Sequence, residues 1–348
     1  MAHQDAPEWS AAEAAALARR LIDLDVAEGA RRSAGPALDA VRGLGHRPPA
    51  RDPARRAAYA ELLQVAAWIT FDAERHHTSQ RLHLRALEAA RGGPDGPLPV
   101  EPLILAVLSM QEEHLGRPDR SLRIASTVLA RPDLPGRVAA VFHVRAGRAL
   151  ARLGRDPQAM RSLHAASELL ADPPGPRDPA WAWWMDRREL DGHRGLAEAA
   201  LGRRDRAAEL LHRAVHGADS GPAYRVLFAA ELARVLAEAA DWREADHALA
   251  ALLDTAPTAG SVRALRAMAR AARTVERSPS APRRHRTTAR DLTALLRTTH
   301  TPPEPADRRP DPPGPQTCSS RGKPVQRSAA GRWPASLNRT TAAGRPGA

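Results

Sequence analysis

One helical-hairpin pattern recurs five times along the 348 residues, and it leaves few folds open. Four turns are built on similar words: Leu115-Gly116-Arg117-Pro118-Asp119, Leu153-Gly154-Arg155-Asp156-Pro157, Leu201-Gly202-Arg203-Arg204-Asp205 and the degenerate Ala239-Ala240-Asp241-Trp242-Arg243. A weaker one lies at Ala73-Glu74-Arg75-His76. After each turn a small residue is followed by inward residues four and seven positions on, giving the sets Ser79/His83/Ala86, Ser121/Ala125/Val128, Ala159/Leu163/Ala166, Ala207/Leu211/Ala214 and Ala245/Leu249/Leu252. That spacing puts three residues on one helical face. A lone hairpin cannot bury such a face, so neighbouring hairpins must stack. The steps between the small anchors are 42, 38, 48 and 38 residues, so the unit is a hairpin with variable Pro/Gly loops rather than a rigid period.

Hydrophobic residues make up 43% of the chain and aromatics only 3%, and no sustained period-two alternation is present. The expected class is therefore all-α. The net charge of +12 divides unevenly. Residues 1–250 carry 34 acidic and 34 basic side chains, whereas residues 251–348 carry 18 basic against 6 acidic. The repeat body is thus electrically balanced, and only its C-terminal end is basic. A single cysteine, Cys318, excludes an internal disulfide or a cysteine-ligated zinc site. Asp5 and Glu8 stand where a secretory signal would be basic, and no run of eighteen apolar residues occurs, so a cytoplasmic protein that does not enter a membrane is expected.

The pattern divides the chain into a helical cap and linker (1–50), a repeat domain (51–297) and a tail (298–348). In the first part, Ser10 followed by Glu13 has capping-box spacing and opens a helix over about residues 10–29, with a second at about 33–42. Two more helices are expected over about 261–275 and 287–296. The tail, rich in proline and arginine, lacks periodicity and is expected to be disordered.

Small Gly147 and Gly195 within first helices, Gly116, Gly154 and Gly202 at turns, and Pro257 closing the last unit resemble tetratricopeptide repeats. The resemblance implies a right-handed solenoid of about five hairpins plus capping helices. Three segments, Glu61–Ala90, Val100–Leu129 and Trp181–Gly195, further resemble the C-terminal repeat region of actinobacterial transcriptional regulators that carry an N-terminal Cro/repressor-type helix-turn-helix. The likeness covers roughly residues 15–297. Residues 1–50 hold nothing similar to that DNA-reading motif, so a regulator without it is implied.

In such repeats the first helices line the concave face. The register places Gln64, Trp68, Asp72, Met110, Glu113, His114, Arg148, Arg152, Glu189 and Arg234 there as candidates for groove binding. Trp and Arg are enriched at binding hot spots. The plainer alternative makes Trp68 and Met110 core residues and the arginines a solvated face. Trp181, Trp183 and Trp184 read as a plug at a long inter-repeat loop, or as an aromatic cage. Arg283, Arg284 and Arg286 belong to a stretch, 261–297, with ten arginines, and form a weak candidate for non-specific nucleic-acid contact. Glu189 and His193 share a face but lack a third donor, and His76, His77 and His83 read as turn residues. No metal or cofactor is therefore expected. No phosphate loop or nucleophile elbow is present, and the expected function is non-enzymatic binding of a protein or peptide partner, or a small effector, in the groove.

Overall fold

The computed structural model describes residues 9–45, 52–93, 96–216 and 226–299. Among them are fourteen α-helices and no strand. In chain order they are α1 (Ala11–Glu28), α2 (Ala30–Gly43), α3 (Pro53–Asp72), α4 (His76–Arg91), α5 (Glu101–His114), α6 (Pro118–Leu129) and α7 (Gly136–Arg152). They continue with α8 (Asp156–Leu169), α9 (Arg187–Ala200), α10 (Arg204–Val215), α11 (Val226–Glu238), α12 (Trp242–Thr255), α13 (Val262–Arg277) and α14 (Arg283–Thr299), with a 3-10 turn at Ala180–Trp184 before α9. Each odd-numbered helix packs against the next even one, and the odd helices stack on each other along the chain. The fold is an all-α pile of tetratricopeptide-like hairpins.

The turns share one backbone solution. Arg75, Arg117, Arg155, Arg203 and Asp241 each donate a backbone N–H to the carbonyl five residues back, closing the preceding helix with a Schellman-type bond. The residue before each takes left-handed φ: Gly116 at 74°, Gly154 at 70°, Gly202 at 79° and, without glycine, Glu74 at 60° and Ala240 at 58°. All fifteen expected anchor residues after these turns are buried. Gly147 and Gly195 are small because the partner helix demands it. A Cβ on Gly147 would lie 2.6 Å from Leu163 Cγ, and one on Gly195 2.7 Å from Leu211 Cγ.

The flanking helices expected as caps complete two further hairpins, so the described residues form seven. Ser10 and Glu13 make the full capping box. Trp9 then stacks on Tyr59 of α3 at 6.1 Å and donates its indole N–H to the Leu44 carbonyl at 3.2 Å. This hairpin escaped the turn word because it pivots on Gly29 alone (φ 73°), between helices separated by one residue. At the other end α14 runs to Thr299, past the expected boundary near residue 297. The tail assigned to 298–348 otherwise lies outside the described residues, as do most of the linker prolines. No described helix is long and apolar enough to cross a membrane.

The pile also returns on itself. The backbone of Gly260 lies against Gly29, and the Arg31 N–H donates to the Gly260 carbonyl at 3.2 Å. A side chain on either glycine would strike the other backbone within 2.5 Å. Glycine at both positions is what lets the last hairpin reach the first.

Candidate functional site

The first helices turn their polar residues toward one another, and the trough between them is filled rather than open. Gln64, Asp72, Glu113 and Glu189 are buried, Trp68, Met110, Arg148 and Arg234 are partly buried, and His114 and Arg152 are exposed. The expectation that these side chains line an exposed groove is corrected accordingly. Most of them face inward, as the register required, but Asp72 is met by α13, Glu113 and Arg148 meet each other across two hairpins, and Glu189 and Arg234 meet partners on their own helices. The sequence did not signal those partners because they lie up to 191 positions away in the chain.

Two linked networks fill the space. The first joins α5, α7 and α9. Arg148 donates to Glu113 at 2.7 Å and, through its other nitrogen, to His193 Nδ1 at 3.2 Å, while His193 Nε2 lies 3.3 Å from Glu189. Arg145, also buried, donates to the Ala106 carbonyl at 3.2 Å. Burial holds His193 below the usual histidine range, partly offset by its bond to Glu189. The ring is therefore neutral, with Nδ1 accepting from Arg148 and Nε2 carrying the proton. Burial opposes ionisation of Glu113, but Arg148 overcomes it and holds the carboxyl below its ordinary value. Arg145 is pushed down to about 10, first by burial and then by neighbouring Arg148.

The second network ties α13 across the trough. Asp72, at the end of α3, accepts from Ser261 Oγ and from Arg263 Nε, both at 2.8 Å. The Arg263 guanidinium also covers Phe71 at 4.3 Å and Trp68 at 5.3 Å. One helical turn on, Arg266 reaches Glu74, and one further turn on, Arg270 reaches Glu231 of α11 at 3.1 Å. Glu231 is held in turn by Arg234 at 2.7 Å. Arg263, Arg266 and Arg270 fall three and four residues apart, so they share one face of α13. Behind Asp72, burial raises Asp25 to about 6, with the bond from Ser33 opposing the shift and the Asp72 charge adding to it.

Three other expected features are placed as follows. Trp181 donates to the Pro99 carbonyl at 3.3 Å, whereas Trp183 is 70% exposed. The gap at this junction is closed chiefly by Ala182 and Met185, both fully buried. Arg283 and Arg284 are exposed at the start of α14, and Arg286 is partly buried. His76 and His114, from separate hairpins, converge on Glu74, a grouping the sequence reading missed because Glu74 sits at a turn position that three other hairpins give to glycine.

No protein-family model matches the chain, and no curated protein matches it. Among solved structures it is similar to PilW, a widely conserved type IV pilus biogenesis factor, with 16% identity over 70% of this chain and 94% of PilW and a TM-score of 0.41. It is also similar to BtubC from P. vanneervenii, with 17% identity over 86% of this chain and 99% of BtubC and a TM-score of 0.39. Both are distant likenesses, and nothing about the trough or its ligands rests on them.

Proposed function

We propose that the protein is a non-enzymatic regulatory scaffold that captures a protein segment, peptide or small effector along the first-helix wall, with α13 as the internal occupant that a ligand displaces. The observation that carries this reading is the row Arg263, Arg266 and Arg270, which satisfies Asp72 and Glu74 around the end of α3 and Glu231 on α11. Buried ion pairs stabilise a fold little better than apolar packing of the same shape. Of the three pairs only Asp72–Arg263 is buried on both sides, while Arg266 and Arg270 reach their carboxylates from exposed positions, which suits a wall whose partners exchange. A ligand bearing basic side chains at helical spacing would meet the same carboxylates. Regulation, specifically of the transcriptional kind, is supported by the resemblance of residues 61–90, 100–129 and 181–195 to the repeat region of actinobacterial regulators. The inward carboxylates Asp72, Glu113, Glu189 and Glu231 are each engaged by an arginine or histidine, which favours binding over general-base chemistry. A nucleic-acid arm over 261–297 is the weaker reading, since three of its ten arginines are committed to the trough.

The test is crosslinked capture in the native cell with three full-length proteins: wild type, Arg266→Ala with a weakened tie, and Arg148→Ala with an altered wall. A partner enriched by Arg266→Ala and lost with Arg148→Ala is expected. Identical partner sets for all three folded proteins would refute groove capture.

A further inference from the structure

Glu74 is the one large charged side chain among the left-handed turn positions, where three hairpins use glycine and the fifth alanine. A non-glycine residue at this φ is strained, so the turn itself gives no reason to keep a glutamate. Its carboxylate points at two imidazoles from different hairpins. His76 Nε2 lies 3.3 Å from Oε2 and His114 Nε2 lies 3.1 Å from Oε1, and all three donor groups fall within 4.8 Å of one another. Around a tetrahedral zinc ion with bonds of about 2.0–2.2 Å, neighbouring ligand atoms stand about 3.4 Å apart. The two imidazole–carboxylate distances, each to its own oxygen, are already near that spacing.

The surroundings orient both rings. Phe71 forms an apolar floor, with ring centres 5.9 Å from His76 and 5.6 Å from His114. Gln111 donates to the His76 carbonyl at 2.9 Å and so fixes the start of α4 against α5. His76 is the first residue of α4, where the helix dipole disfavours an imidazolium, and His114 is the last residue of α5, where the dipole favours a cation. The remaining nitrogen of His76, Nδ1, is buried without a hydrogen-bond partner, so ordinary satisfaction of a core histidine does not account for this ring. His114 is exposed and leaves a way in from solvent.

We propose that Glu74, His76 and His114 form a binding site for a divalent transition-metal ion of the zinc class, completed by water, in which the ion competes with Arg266 for the Glu74 carboxylate. Two neutral imidazoles and one carboxylate suit a borderline ion such as Zn2+ rather than Mg2+ or Ca2+. Each ring binds as the neutral tautomer with its proton on Nδ1, so that the Nε2 lone pair faces the ion; a ring protonated on Nε2 releases that proton to solvent and takes one up on Nδ1, with no net change in charge. Arg266, whose side chain is 57% exposed, swings into solvent. The site therefore bridges the α3–α4 turn to the end of α5 and releases one of the three ties to α13.

The experiment is titration of untagged full-length protein with Zn2+ alone against a chromogenic chelator, in a Cys318→Ser background, with Co2+ absorption as a second readout. The stacked pair His212 and His216 (ring centres 4.0 Å apart) is the obvious competing site, so His212→Ala/His216→Ala is the control. One bound ion per chain is expected, unchanged in that control and weakened about tenfold or more in Glu74→Gly and His114→Ala. Glu74→Gly restores the glycine used at other turns, so retained folding with lost metal separates ligation from a structural role. Arg266→Ala should bind more tightly than wild type. Absence of stoichiometric binding, full affinity in Glu74→Gly, or no gain in Arg266→Ala would overturn the assignment.

Discussion

At the residue scale, the least expected feature is how many ionisable groups sit in the interior and how differently each is accommodated. His83 occupies the anchor position that Leu163, Leu211 and Leu249 fill in other hairpins, and it is wholly buried. Burial pushes it down to about 3, while the bond from Ser79 works weakly the other way. The folded-state value lies below the ordinary histidine value near 6.5, so between these two the unfolded chain binds the extra proton. The resulting stability is complete above about pH 6.5 and is lost as the pH falls toward 3, by up to about 1.4 kcal/mol per unit. His83→Leu should flatten that slope and raise stability at pH 5 by about 1–3 kcal/mol, as read by urea denaturation at pH 5 and 7. An equal acid slope in both proteins would show that His83 is not the group responsible.

At the element scale, hairpin pairing was legible in the sequence and the fate of the wall was not. The 0, 4, 7 anchors and the Leu-Gly-Arg turns are local, so they could be read directly, and each falls where its helix needs it. The first and last hairpins lacked those words, having Gly29 as a single-residue pivot and the arginine-rich face of α13 in their place. The inward register of Asp72, Glu113, Arg148 and Glu189 was also legible. That Asp72, Glu113 and Glu189 are buried was not, because burial depends on packing between separate hairpins and, for Asp72, on α13 arriving from the far end of the chain. Glycine offers a sharp check on helix pairing. Gly147→Ala places a methyl against Leu163 and should destabilise by about 1–3 kcal/mol despite better helix propensity. Gly35→Ala in α2 meets nothing within 4 Å and should instead stabilise by about 0.5–1 kcal/mol. Thermal melts of the two variants shifting in the same direction would contradict the packing of α7 on α8.

At the scale of the whole molecule, the described residues form one unit whose two ends are joined by glycine backbones and by a buried ion pair. A stack in which each hairpin touched only its neighbours would let its ends move independently. Here the contact between residues 72 and 263 ties the last hairpin to the second and the Gly29–Gly260 approach ties it to the first, so a ligand that loosens α13 acts at both ends of the pile. The most direct measurement is a double-mutant cycle on Asp72→Asn and Arg263→Gln, taken from equilibrium unfolding of the full chain. A coupling of about 2 kcal/mol or more is predicted for a buried pair in contact. Additive effects, with coupling near zero, would mean that α3 of the second hairpin and α13 of the last do not meet and that the trough is open.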